Sequence, residues 1–179
     1  MVLKGPNPTV DLTTREGFQF QVRPARESDA ADLGEFFSHV SSEDLRFRFL
    51  TAVDEVGAAR LAELTRTDHD LTESFVAVDK DGRTIIANAV IAASPDLSRA
   101  EVALAIRSDY KRRGISWTLL EHIARYARAR GIGVLESVES RDNHAAIELE
   151  REMGFRAFSD PGDPTILILR ADLTELAPE

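Results

Sequence analysis

The chain has 179 residues and a formal net charge of −9 at pH 7, with 43% hydrophobic and 30% charged residues. This length and composition are typical of one globular domain with a substantial core. The acidic balance argues against a nucleic-acid partner, because binding to phosphate backbones requires a large basic surface. No apolar run is long enough to span a membrane. The sequence has no cysteine, which excludes disulfides, thiolate metal sites and a cysteine nucleophile.

The N-terminal segment is polar. "MVLKGPNPTVDLTTREG" contains one lysine and no apolar segment, which is unlike a secretory signal peptide. We therefore expect a cytoplasmic location. The two prolines and the polar composition predict a flexible arm over residues 1–16. Residues 17–179 are then expected to form a single domain.

The first half of this domain combines a strand, three helices and a hairpin. "FQFQVRPA" (18–25) alternates apolar and polar residues, which predicts a strand. The first helix is expected to be capped by Ser28, the second by Ser41 or Ser42, and the third runs from about residue 53 to 65. "SFVAVDKDGRTIIANAVIAA" then predicts a hairpin with its turn at Asp81-Gly82.

The second half adds strands and two amphipathic helices. "RAEVALAIR" (99–107) predicts a strand, and a helix is expected from Gly114 to Arg130. "VLESVES" predicts another strand, a further helix follows with Asp142 or Asn143 as its cap, and "RAFS" and "TILILR" predict the last two strands. This order predicts an α+β fold of the three-layer type, with a mixed central sheet of about seven strands flanked by helices.

The densest positive run of the chain, Lys111, Arg112 and Arg113, lies directly before a predicted helix. A helix N-terminus carries partial positive charge, so cations are unfavourable there unless an anion binds. The free N–H groups of a helix start form such an anion site. The run also follows a predicted central strand, a position where α/β proteins bind ligands. We therefore predict a phosphate-bearing ligand, with a solvated charged turn as the alternative.

Several segments resemble the GNAT N-acetyltransferase superfamily. "KRRGIS" (111–116), between strand and helix, resembles the family's Gln/Arg-x-x-Gly-x-Gly/Ala loop, from which Lys111 and Ser116 depart. "RDNHAAIELEREMGF" resembles the family's Asn-x-x-Ala helix that ends in Gly-Phe. "QVRPARESDAADLGEFFSHVSSEDLRFRF" and "RAEVALAIRSDY" look like the branch of bacterial protein lysine acetyltransferases. The resemblance covers roughly residues 18–170 and implies the GNAT fold.

The resemblance also implies acetyl-CoA as co-substrate and no metal. Backbone groups of Leu104, Ala105 and Ile106 would bind the pantetheine arm like an added strand, and one of these amides would stabilise the oxyanion. Asn143 would bind the pantetheine or simply cap its helix. The residues implied in binding the pyrophosphate are Lys111, Arg112, Arg113, Gly114, Ile115, Ser116 and Trp117.

The candidate catalytic residue is Glu101. An attacking amine must first lose a proton, which a carboxylate can accept directly or through water. In the lysine acetyltransferase branch the matching glutamate is the base; the alternative is an ordinary exposed strand acid. Many family members carry a tyrosine that protonates the leaving thiolate, but Glu150 stands at that position. We expect Glu150 on a solvated helix face, so that the thiolate leaves unassisted or takes a proton from water.

Two functions are compatible with these residues. The first is an N-acetyltransferase that moves the acetyl group of acetyl-CoA to a primary amine, on a small molecule or a protein lysine, by direct attack in a ternary complex. The second is a non-catalytic acyl-CoA-binding sensor or regulatory module, which would need the loop but not Glu101. His69, between Asp68 and Asp70, lacks the ligand spacing of a metal site. Neither nucleic acid nor a membrane is expected as a partner.

Overall fold

Five helices and eight strands make up residues 7–175, the part of the chain that the computed structural model describes. The strands are β1 (Val10–Thr13), β2 (Gln19–Pro24), β3 (Thr72–Val78), β4 (Ile85–Ala93), β5 (Arg99–Ile106), β6 (Val134–Ser140), β7 (Arg156–Ser159) and β8 (Ile166–Asp172). The helices are α1 (Ala30–Ser38), α2 (Ser42–Phe49), α3 (Ala58–Thr65), α4 (Ile115–Ala129) and α5 (His144–Glu152). None of these helices is both long and apolar enough to cross a bilayer.

All eight strands form one mixed sheet, in the order β1-β2-β3-β4-β5-β6-β8-β7. Every neighbouring pair is antiparallel except β5 and β6, which run parallel. A parallel pair needs a long crossover connection, and α4 supplies it here. The predicted α+β class with a mixed sheet is therefore confirmed, with eight strands instead of about seven.

The additional strand comes from the N-terminal segment. The prediction of a flexible arm over residues 1–16 is wrong for Val10–Thr13, which form a strand paired with β2 along the edge of the sheet. Leu12 also packs against the main hydrophobic cluster, so the pairing buries apolar surface. Four residues between polar neighbours give too short a pattern to separate from a loop. Residues 1–6 lie outside the described part of the chain.

Two hydrophobic clusters hold the helices on the sheet. The larger one joins β2–β6 and β8 to α4, and it includes the fully buried Leu119 and Ile123 of that helix. The smaller one lies under α1–α3 and includes Leu33 and Phe36. The apolar stripe of each helix faces the sheet, as expected for amphipathic helices. The clusters fix β5 from both sides, which positions the site described below.

Only some of the predicted helix starts match the structure. Ser41 caps α2 as predicted, since its hydroxyl accepts the Asp44 N–H at 3.1 Å. Ser28 is not a cap, because a 3-10 turn over Glu27–Asp29 precedes α1. The carboxylate of Asp29 instead accepts the Arg26 N–H at 2.7 Å. The third helix, α3, begins only at Ala58, later than predicted.

Asp29 offers a stability test of the α1 start. Its carboxylate is 5% exposed and accepts two hydrogen bonds from the Arg23 guanidinium, at 2.7 and 2.8 Å. We expect Asp29→Asn to lower the free energy of unfolding by about 2–3 kcal/mol, because buried donors lose a charged acceptor. Glu35→Gln, an exposed position of α1, is the control and should change it by less than about 0.5 kcal/mol. Urea titrations of the three proteins measure both values.

The effect of Asp29 should also depend on pH. Burial raises the pKa of Asp29, but the hydrogen bonds from Arg23 and the Arg26 backbone outweigh it, and the net pKa lies below the ordinary value. The stabilisation is therefore complete above the unfolded-state pKa of about 4 and is lost as pH falls through the lower folded-state pKa. An equal difference between wild type and Asp29→Asn at all acidic pH values would contradict this assignment.

Candidate functional site

Strands β5 and β6 separate part-way along their length. Their parallel pairing comprises three register pairs, the last of which joins Glu101 to Glu136. Beyond this point β5 stays paired with β4 and β6 with β8, but the described residues show no pairing between β5 and β6. The facing strand edges therefore carry backbone N–H and C=O groups that need another partner. An extended ligand can bind such an edge as an added strand.

A cavity of about 180 Å³ occupies this region. It is bounded by α2, β5, the loop before α4, α4, β6 and α5. The predicted cofactor-binding residues that line it are Leu104, Ala105, Ile106, Lys111, Ser116 and Asn143. The predicted residues outside its lining are Arg112, Arg113, Gly114, Ile115 and Trp117. The structure thus brings the three β5 candidates and Asn143, at the start of α5, together at one cavity. Lys111 and Ser116 also line this cavity.

The loop before α4 makes a tight turn. Arg112 and Gly114 both have left-handed backbone conformations, with φ of 64° and 79°. Gly114 is the residue that precedes the helix, and a Cβ there would collide with the carboxylate of Glu16. The glycine therefore lets the turn between β1 and β2 approach the start of α4. Only a residue without a Cβ combines this conformation with this contact.

The three cations of the loop have different surroundings. The Lys111 ammonium lies 2.5 Å from the carboxylate of Asp44 on α2. The Arg113 guanidinium stacks on the ring of Tyr110, at 4.6 Å from its centroid. Arg112 is exposed and makes no ion pair or side-chain hydrogen bond with the residues of 7–175. An anion at the α4 start would meet this unpaired guanidinium together with the helix N-terminus.

Two other loop candidates have side chains that are already engaged. Ile115 is 2% exposed and belongs to the main hydrophobic cluster, so its side chain is part of the core. The ring of Trp117 lies under the Arg15 guanidinium, at 4.2 Å from the centroid. That contact joins the turn between β1 and β2 to α4. Both residues therefore hold the loop in position rather than contribute side chains to the cavity.

Glu101 is the last β5 residue that pairs with β6, so it stands where the two strands part. It is exposed and lies beside the cavity rather than in its lining. The neighbouring acid, Glu136, accepts a hydrogen bond from Arg170 at 2.7 Å and lies 3.7 Å from Arg99. No such ion pair holds Glu101 among the described residues. Of the two acids at this junction, Glu101 is the exposed one and Glu136 the one held by arginines.

Arg48 of α2 lines the cavity close to these acids. Its Nε is buried and has no hydrogen-bond partner within residues 7–175. Burial lowers the pKa of Arg48 to about 10, although the charges of Glu101 and Glu139 act in the opposite direction. The sequence did not predict Arg48 as a site residue, because nothing near it in the chain distinguishes it from an exposed arginine. Its side chain supplies positive charge between the acids of β5 and β6.

The prediction of a solvated Glu150 is wrong. Glu150 is 6% exposed, lines the cavity and accepts a hydrogen bond from the Ser137 hydroxyl at 2.7 Å. The helical spacing explains its position, because Glu150 follows Ala146 by four residues and Ile147 by three, on the inner stripe of α5. The charged run "ELERE" obscured this spacing. Ser137 itself comes from β6, where every second residue points to the same side.

Glu139, also from β6, lines the cavity beside Glu150, and we call these two residues the carboxyl pair. Asn143 donates to Glu139 at 2.9 Å and accepts the Ala146 N–H at 3.4 Å, so it caps α5 and lines the cavity. Burial and the neighbouring carboxylate raise the pKa of Glu139 to about 8. Burial also raises the pKa of Glu150, to about 6. The polar alternation in "VLESVES" was the sequence signal for this pair.

Metal-ligating side chains do not converge in the described part of the chain. Residues 7–175 contain no group of three or more His, Cys, Asp or Glu side chains that could hold a metal ion. His69 instead contacts the buried carboxylate of Glu73 at 3.0 Å. Asp68 accepts backbone N–H groups of Asp70 and Thr72. These contacts hold the loop before β3 together.

Comparison with known proteins assigns the chain to a family. Residues 35–155 match the model of the acetyltransferase (GNAT) family. An acetyltransferase of Pseudomonas aeruginosa, PA5475, is 32% identical over 160 residues, which cover 88% of this chain and 86% of that protein. The GNAT domain of PAT from S. lividans is 26% identical, with a TM-score of 0.84 over 92% of this chain and 96% of that one.

A more distant structure shares the fold. The acetyltransferase yncA of Salmonella typhimurium, solved with its cofactor acetyl-CoA, is 19% identical, with a TM-score of 0.69 over 89% of this chain and 96% of that one. The family match spans more than half of the described residues and includes β5, the loop and α5. The chain therefore belongs to the GNAT acetyltransferase family, with acetyl-CoA as its co-substrate.

Proposed function

We propose that this protein is a single-domain N-acetyltransferase that moves the acetyl group of acetyl-CoA to a primary amine in a ternary complex. The observation that carries the proposal is the separation of β5 from β6 directly beyond Glu101 and Glu136. It leaves a free strand edge along a cavity that reaches the loop before α4. The Glu101 carboxylate lies at the point of separation, and Arg48, whose Nε is buried, lines the cavity.

The residues present fit acetyl-CoA. The unpaired edge of β5 at Leu104–Ile106 can bind the amides of the pantetheine arm, as a peptide strand would. The amides of residues 112–117 lie at the start of α4, where they can hold the pyrophosphate. One strand amide near Leu104 would stabilise the negative charge on the carbonyl oxygen during attack. Lys111 and Arg112 add positive charge at the phosphate end.

Glu101 is the proposed general base. The amine arrives as an ammonium ion with a pKa near 10.4, so it must transfer a proton before it attacks. Glu101 has no ion-pair partner among the described residues, and it lies at the end of the gap where the acetyl group would be held. Its exposure lets the proton pass directly or through water.

The acceptor is a small amine or a lysine of a protein. The resemblance of the N-terminal region to protein lysine acetyltransferases supports the second possibility, and the exposed position of Glu101 allows a large acceptor to approach. A panel of amines and lysine peptides with acetyl-CoA tests the activity. Tight binding of acetyl-CoA without turnover of any acceptor would favour the sensing module over the enzyme.

Removal of the proposed base gives the first activity test. We expect Glu101→Gln to lower kcat/KM for the amine by about 100-fold, the lower range for a general base. Glu136→Gln is the matched control, because this acid occupies the paired position on β6 but is held by Arg99 and Arg170. It should stay within about threefold of wild type. Equal activities of Glu101→Gln and wild type would remove Glu101 as the base.

The loop is tested by Gly114→Ala. The alanine Cβ would require a left-handed backbone and displacement of Glu16, which shifts the amides at the α4 start. We expect the KM for acetyl-CoA to rise about tenfold, whereas the KM for acetyl-pantetheine, which lacks the pyrophosphate, should change little. Gly82→Ala is the control, since Gly82 has φ of 71° but no neighbouring atom within 4 Å of the added Cβ.

Comparison of acetyl-CoA with acetyl-pantetheine separates two explanations for a raised KM of Gly114→Ala. An increase in KM for both donors by the same factor would show that the substitution disturbs the β5 groove and not a phosphate site. Thermal unfolding of both glycine variants measures the cost of the backbone strain, which the control shares.

A further inference from the structure

The carboxyl pair of Glu139 and Glu150 lies across the gap between β5 and β6 from the proposed acetyl site. The last β5–β6 register pair is Glu101 with Glu136. Three residues further along each strand bring Leu104 and Glu139 to the same level, on opposite sides of the gap. Both residues line the cavity, as does Glu150 from α5. The pair therefore faces the segment of β5 that would hold the thioester.

Glu139 and Glu150 line the same cavity, and burial raises the pKa of both carboxyls. Two neighbouring carboxylates also repel each other, so the pair keeps one proton more readily than a single exposed acid would. The Ser137 hydroxyl donates to Glu150, and the Asn143 amide donates to Glu139. These two donors orient the carboxyls. The proton that the pair keeps is additional to the protons of the hydroxyl and the amide.

We propose that the Glu139–Glu150 pair is the catalytic acid of this enzyme, which gives its shared proton to the sulfur of coenzyme A as the thioester bond breaks. The proposal rests on the proposed acetyltransferase function. The pair lines the same cavity as Leu104, Ala105 and Ile106, so a thioester bound along β5 would place its sulfur in the cavity that holds the pair. It replaces the expectation that the thiolate leaves unassisted or takes a proton from water.

Acetyl transfer moves protons at Glu101, at the amine nitrogen and at the carboxyl pair. Glu101 accepts the first proton of the ammonium ion, and the nitrogen lone pair then forms the bond to the carbonyl carbon. The carbon–sulfur bond breaks with its electron pair on sulfur, which takes the proton of the pair. The nitrogen loses its second proton to solvent as the amide forms. Glu101 releases its proton to solvent, and solvent returns one proton to the pair. The products are the amide and the free thiol of coenzyme A.

The charged groups around the pair set its pH dependence. Arg48 of α2 faces Glu139, and its positive charge favours the ionised form. Glu101 of β5 interacts with Arg48 from the other side. Ser137 lowers the pKa of Glu150 by hydrogen bonding to its ionised form. Since a proton donor acts only when it is protonated, activity should fall as pH rises through the raised pKa of Glu139, about 8.

The first experiment is an infrared titration of the protein without substrates. Wild type should show the carbonyl stretch of a protonated carboxylic acid at neutral pH, which disappears as pH rises through the pKa of Glu139, about 8. Glu139→Gln and Glu150→Gln should each remove or shift this titration. Glu148→Gln, at an exposed position of α5, should leave it unchanged. The absence of any protonated carboxyl at neutral pH in wild type would overturn the proposal.

The second experiment measures kcat and the KM for acetyl-CoA across pH. Both glutamine variants of the pair should lower kcat about 100-fold, keep the KM within about threefold and lose the alkaline decrease of wild type. Ser137→Ala should move that decrease to higher pH, because the ionised form of Glu150 loses a hydrogen bond. Glu148→Gln should match wild type throughout.

The results distinguish the possible failures. A kcat within twofold of wild type in both variants, or a weaker affinity for acetyl-CoA with unchanged kcat, would show that the pair does not act as the acid. Circular dichroism and acetyl-CoA binding check that the variants are folded. If wild type itself transfers no acetyl group to any amine, the proposed function fails, while the infrared titration still decides whether the pair holds a proton.

Discussion

The separation of β5 and β6 is the constraint on which the rest of the site depends. A buried strand edge without a partner costs about 1–3 kcal/mol for each unpaired polar group, so the gap requires water or a ligand to satisfy it. The two strands are held apart because β5 pairs fully with β4 and β6 with β8, while the cores on both faces fix these pairs. Rigid strands thus keep an open groove in a sheet that would otherwise close.

The charges near the groove show how an acidic protein can bind an anionic ligand. The ion pair of Lys111 with Asp44 and the carboxylate of Glu16 beside Gly114 offset the local positive charge. Lys111 is about half exposed, with 47% of its side chain accessible, so this ion pair contributes at most about 1 kcal/mol. Exchange of such a weak contact for several phosphate hydrogen bonds is favourable. The overall net charge therefore does not oppose binding at this end of α4.

The fold and the place of the loop before α4 could be predicted from the sequence for clear physical reasons. Periodic apolar residues and the loop at 111–116 identified α4 and its surroundings, because these signals are local. Glu139, Glu150 and Arg48 were missed, since their positions depend on contacts between β6, α5 and α2 that lie far apart in the chain. Glu150 shows the reason most clearly. A charged residue in a charged run is normally exposed to solvent. Glu150 can be buried because the Ser137 hydroxyl of β6 donates a hydrogen bond to its carboxyl group.

The electrostatic balance of the cavity supports one proton on the carboxyl pair. With both carboxyls ionised, Arg48 would leave an excess negative charge in a poorly hydrated space, which costs several kcal/mol. With one proton shared, the pair carries a single negative charge and the buried guanidinium compensates it. Burial and the neighbouring carboxylate therefore outweigh the charge of Arg48, which favours the ionised form, and keep one proton on the pair. That state has one proton available next to the groove, so the same interactions that stabilise the buried acids also prepare them to donate it.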